Sequence, residues 1–93
     1  MDIIFEAQSE TQEETSTVKT AFKDLVLFND DVNTFDYVIE ALIKVCDHSS
    51  EQAEQSAYIV HFNGKCSVKN GPESVLKPMK EALIDRELLA KIL

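Results

Sequence analysis

Hydrophobic and polar positions divide the chain into six segments, and the period changes from one to the next. Residues 22–28 end in the unbroken apolar run Leu25-Val26-Leu27-Phe28, which predicts a strand buried on both faces near its end. From Phe35 the spacing turns helical. Phe35, Val38, Ile39, Leu42, Val45 and Cys46 recur at three- and four-residue steps, the single apolar stripe of a helix over about 34–46. Asn33 is the expected cap, with Asp36 three residues on as in a capping box.

Ser49 restarts the pattern, with Gln52 in the reciprocal capping position. The helix over about 50–62 carries a narrow stripe of small residues, Ala53, Ala57 and Val60, flanked by Tyr58 and Ile59. Asn63-Gly64 ends it, because glycine takes the left-handed conformation that closes a helix. Lys65 to Lys69 then alternates, with Cys66 and Val68 on one side, and predicts a short strand followed by a turn at Asn70-Gly71-Pro72. A third helix is expected from Pro72 or Glu73 to Arg86, carrying Val75, Leu76, Met79, Leu83 and Ile84. Pro78 lies inside it without an amide proton, which predicts a kink or a late start. Leu88 to Leu93 reads as a closing strand.

The order strand, helix, helix, strand, helix, strand predicts an α+β fold. Three helices cover one face of a small three-stranded antiparallel sheet built from residues 21–93. Residues 1–20 set Glu6, Glu10, Glu13 and Glu14 among Gln, Ser and Thr with no apolar period, the composition of a flexible acidic tail. A folding unit of ~70 residues is near the lower limit for a single core without staples, so the apolar stripes are all needed.

Charge narrows the choice of partner. Seventeen acidic residues against nine basic ones leave a net charge of −8, which repels phosphate backbones and suits a cationic or amine-bearing partner. The start Met1-Asp-Ile-Ile-Phe-Glu6 has neither the basic residues nor the apolar run of a secretory leader. No stretch approaches the ~20 apolar residues of a membrane span. A cytoplasmic protein whose two cysteines, Cys46 and Cys66, stay reduced is the expectation.

Candidate chemistry gathers at Asn29-Asp30-Asp31, between the first strand and the first helix. A turn alone would explain these residues, since Asn and Asp favour turn geometry. Read chemically, they are acceptors that can surround an ammonium group. The second candidate is His61, near the end of the second helix. Two or three residues join the first two helices, so they run antiparallel and the end of the second returns towards the Asn29–Asp31 corner. There an imidazole can offer a ring nitrogen to a ligand N–H. Cys46, His48, His61 and Cys66 lack the spacing of a metal site, and a Cys–His nucleophile is disfavoured because both cysteines sit in apolar stripes with no third, orienting group. With two glycines in the chain there is no phosphate-binding loop. No metal, no cofactor and no enzymatic activity are expected.

Phe28-Asn29-Asp30-Asp31, the helix opening Phe35-Asp-Tyr-Val-Ile-Glu40, and Val60-His61-Phe62-Asn63-Gly64-Lys65 together resemble the ClpS adaptor family. The similarity runs without a gap from Phe22 to Lys65 and more loosely to the C-terminus. It implies a non-enzymatic adaptor that recognises bulky hydrophobic N-terminal residues of substrate proteins (N-degrons) and delivers them to a Clp unfoldase of the ClpA or ClpC type. By the resemblance, Asn29, Asp31 and His61 hold the substrate α-ammonium and first amide, with Asp30 nearby. Asn33, Phe35, Val38, Ala57 and Val60 line the pocket for the first side chain. Glu73 and Lys77, at the start of the third helix, approximate the unfoldase-docking surface, and the acidic tail corresponds to an extension that assists delivery. Phe35 and Ala57 stand where the family usually has Met, which implies a roomier pocket beside the second helix. The alternative is a domain of the same fold that docks on an unfoldase or another assembly without reading N-degrons.

Overall fold

The computed structural model describes residues 21–93, so the acidic tail expected over residues 1–20 lies outside the described residues. In order, the elements are β1 (Phe22–Phe28), α1 (Phe35–Cys46), α2 (Ser50–Asn63), β2 (Lys65–Pro72), α3 (Glu73–Asp85) and β3 (Leu89–Ile92). The sheet order is β2-β1-β3, antiparallel throughout, and the architecture is α+β as expected. The apolar run of β1 reflects its central place. Leu25 and Leu27 point to the helices and join the core, while Val26, on the opposite face by strand alternation, is still only 7% exposed.

The core joins Leu25 and Leu27 to Leu42 and Cys46 of α1, Ala53 and Val60 of α2, Val68 of β2, and Leu76 and Leu83 of α3. Burying side chains of that size against one sheet face supplies the main drive to fold. The register of β1 against β2 slips between Leu25 and Val26, which leaves Val68 as an extra residue in β2 and buries it. His48, in the α1–α2 link, is buried beside it. Its Nε2–H donates to the Val68 carbonyl at 2.6 Å, tying the helical hairpin to the bulge.

Two local expectations are corrected. The cap of α1 is Thr34, whose hydroxyl accepts from the Tyr37 amide at 3.1 Å, while Asn33 is engaged elsewhere. Asn70-Gly71-Pro72 is no turn but the end of β2, paired with Asp24, Lys23 and Phe22. β1 begins early enough to offer these residues partners, and Pro72 sits at the strand end, where a missing N–H matters least. α3 starts at Glu73, as expected, and runs through the exposed Pro78 to Asp85, so of the two outcomes left open at Pro78 the late start does not occur.

Candidate functional site

Local sequence builds the corner between β1 and α1. The Asp30 carboxylate turns back on its own chain: Oδ1 accepts from the amides of Val32 and Asn33, each at 2.8 Å. The Asn33 side chain donates to the same carboxylate and, at 2.9 Å, to the Glu87 carbonyl beyond α3. Burial pushes the Asp30 carboxyl up. The bonds from Asn33 and Val32 outweigh that and hold it below its ordinary value. Asp30 and Asn33 therefore act as the lock of the corner, which the α3–β3 link braces again where Tyr37 donates to the Arg86 carbonyl at 2.9 Å.

With Asp30 occupied, Asn29 and Asp31 are the exposed acceptors of the triplet. The Asn29 amide donates to the Gly64 carbonyl at 2.9 Å, which stitches the corner to the end of α2. Gly64 adopts φ +91, and its own amide closes α2 on the Val60 carbonyl. That closure carries His61, three residues earlier, to the corner. His61 is exposed there and meets the Phe35 ring edge-on, with centroids 6.5 Å apart.

These residues surround one open cleft of about 830 Å³. Asn29, Asp30, Asp31 and Asn33 of the corner line it, with Phe35 of α1 and with Glu54, Gln55, Tyr58, His61 and Phe62 of α2. Of the residues singled out in the sequence, Asn29, Asp30, Asp31, Asn33, Phe35 and His61 are brought together. Val38, Ala57 and Val60 are not among the lining residues. Val60 belongs to the core at 4% exposure, Ala57 is 2% exposed, and Val38 packs against the core. The small-residue stripe of α2 faces the body of the protein, and the neighbouring stripe faces the cleft. Glu54, Gln55, Tyr58 and Phe62 had a signal in the sequence. A helix that buries only small residues leaves its large ones outside.

The rest of the candidate chemistry disperses. Cys46 lies in the core, where burial pushes its thiol up to about 11 against the opposing charge of Lys69. Burial also raises the half-buried Cys66, against a hydrogen bond from Ser56. Neither is an activated nucleophile. Among the described residues, no three His, Cys, Asp or Glu side chains assemble into a group that could hold a metal ion. No described helix is long and apolar enough to cross a membrane. Glu73 and Lys77 sit exposed on the first turns of α3, outside the residues that line the cleft, and Glu73 pairs with Lys23 at 3.4 Å.

Residues 19–88 match the family described as "ATP-dependent Clp protease adaptor protein ClpS". A relative from Campylobacter jejuni subsp. jejuni serotype O:23/36 (strain 81-176), "ATP-dependent Clp protease adapter protein ClpS", is 32% identical over 85 residues, covering 89% of this chain and 86% of its own. The protein of the same name from Campylobacter jejuni (strain RM1221) is 35% identical over 57 residues, 61% of this chain and 59% of its own. Among solved structures, Agrobacterium tumefaciens ClpS2 bound to L-phenylalaninamide superposes with a TM-score of 0.71 at 20% identity, over 77% of this chain and 94% of that one. That likeness establishes the fold. By the family match over most of its length and the identity of its relatives, the chain belongs to the ClpS family of ATP-dependent Clp protease adaptor proteins.

Proposed function

We propose that the cleft takes the N-terminal residue of a substrate protein, preferring a bulky hydrophobic one, and that the protein presents such substrates to a Clp unfoldase of the ClpA or ClpC type. One observation carries this reading. Exposed acceptors on Asn29 and Asp31 adjoin the Phe35 and His61 rings in a single cleft. The ligand that answers it is a cation joined directly to a large apolar group. An N-terminal residue with its α-ammonium has that chemistry, whereas an internal residue has no charge beside its Cα.

Each residue has a proposed role. Asp31 meets the ammonium with a charge-assisted hydrogen bond, Asn29 accepts from it, and His61 offers a ring nitrogen to the first amide. Phe35 covers the first side chain. Asp30 acts through the turn it locks. The Agrobacterium relative supports this assignment, because L-phenylalaninamide carries a free α-amino group on an aromatic residue. Glu73 and Lys77 remain the proposed contact with the unfoldase.

Titration of a Phe-initiated peptide against its N-acetylated copy tests the reading. The free peptide binds, the acetylated one loses the ammonium contact, and Asp31→Ala weakens the free peptide by ~1.5–3 kcal/mol while the protein stays folded. Equal binding of both peptides would overturn the proposal.

A further inference from the structure

α2 places Glu54, Tyr58 and Phe62 four residues apart, one above another on a single helical stripe, and all three line the cleft. The Tyr58 and Phe62 rings lie 4.4 Å apart, tilted by 40°, and Phe62 meets His61 edge-on at 4.8 Å. Tyr58 is 57% exposed and Phe62 65%. A continuous aromatic surface thus leaves His61 and runs away from the Asn29–Gly64 bond, with Glu54 about 12 Å along the helix axis from Phe62. Neither ring contributes to the core. Adjacent exposed aromatics of this kind mark a contact surface.

The first residue of a bound chain does not account for this wall. Its ammonium belongs at Asn29 and Asp31 and its side chain at Phe35, which meets His61 rather than the Tyr58–Phe62 pair. The next Cα follows 3.8 Å on, and its side chain leaves in a different direction. We propose that Tyr58 and Phe62, with Glu54 beyond them, form a subsite for the second residue of the substrate and select arginine there. This rests on the reading that the cleft binds free N-termini. A guanidinium stacks flat on an aromatic face and keeps its edge donors for a carboxylate, so the ring pair and Glu54 suit it together. Lysine fits the charge but not the plane. An acidic second residue meets Glu54 and Asp31 as like charges.

Three unacetylated peptides, identical except for beginning Phe-Arg, Phe-Ala or Phe-Glu, are titrated against the full chain and against Tyr58→Ala, Tyr58→Phe and Glu54→Gln. Phe-Arg binds roughly two- to fivefold more tightly than Phe-Ala, the scale of one exposed cation–aromatic contact. That ratio falls to about one in Tyr58→Ala, persists in Tyr58→Phe, and shrinks in Glu54→Gln, where Phe-Glu gains relative to Phe-Ala. A Phe-Arg to Phe-Ala ratio unchanged in Tyr58→Ala overturns the subsite, and the preference then belongs to the net charge as a whole. A parent protein with no preference at the second position overturns it equally. If acetylated copies bind as tightly as the free peptides, the failure lies one step earlier, in the N-terminus reading, and the subsite falls with it.

Discussion

α1 and α2 are adjacent, antiparallel and of similar length, yet they distribute their side chains in opposite ways. α1 buries Leu42 and Cys46 completely, packs Val38, Ile39 and Val45 against the core, and shows Asp36, Glu40 and Lys44 to solvent. α2 buries Ala53, Ser56, Ala57 and Val60 and leaves Tyr58, Ile59 and Phe62 exposed. α1 places most of its bulk where it drives folding, with Phe35 and Ile43 each 37% exposed. The other keeps its bulk in water beside an acidic corner, which costs stability that a binding surface has reason to give up. The helix pair thus separates the two tasks of the domain: α2 supplies five residues to the cleft and α1 only Phe35, the corner before α1 supplying the rest.

The sharpest way to break this contrast is to truncate one large side chain on each helix. Leu42→Ala, at a fully buried site, lowers unfolding free energy by about 2–5 kcal/mol in denaturant titration. Phe62→Ala changes it by no more than about 0.5 kcal/mol, as an exposed position does. Comparable losses in the two variants would mean that α2 packs its aromatic face after all.

Capping sharpens the comparison at a smaller scale. Thr34 and Ser49 each accept from the amide three residues on, so Thr34→Ala and Ser49→Ala each cost about 1 kcal/mol in thermal or chemical unfolding. The helices are then equals at their starts and differ only in what they bury. A loss from Ser49→Ala with none from Thr34→Ala would move the α1 cap elsewhere.

The smallest effect concerns the locked corner, and it has a sign in pH. The Asp30 carboxyl is held below its ordinary 3.8 in the folded protein, so the folded state binds that proton less readily than the unfolded chain. Its stabilisation is present above that value and disappears as pH falls through the lowered one. The melting-temperature gap between parent and Asp30→Ala therefore narrows on acidification below about pH 3.8. A gap that stays constant through this window would show that the carboxylate charge does not hold the turn.

Much of this molecule follows from nearest-neighbour chemistry. The period of three and four residues from Phe35 to Cys46, the serine cap at Ser49 and the glycine stop at Gly64 each act within one helical turn, so the sequence determined the helices and their order. The acidic triplet and His61 were legible for the same reason. They are polar residues at element ends, and a short link between helices brings such ends together. What lies beyond a turn of chain was decided by tertiary structure. The Asn70–Pro72 segment became strand because β1 offered it partners, and Asn33 gave up the cap to Thr34 because Asp30 and the distant Glu87 carbonyl claimed its side chain. The same holds for the cleft wall. Spacing groups Ala57 with Val60 and Tyr58 with Phe62, but only packing against α1 and the sheet settles which stripe meets the core. The smaller residues went inward, because little room is left beneath a helix held close to its neighbours.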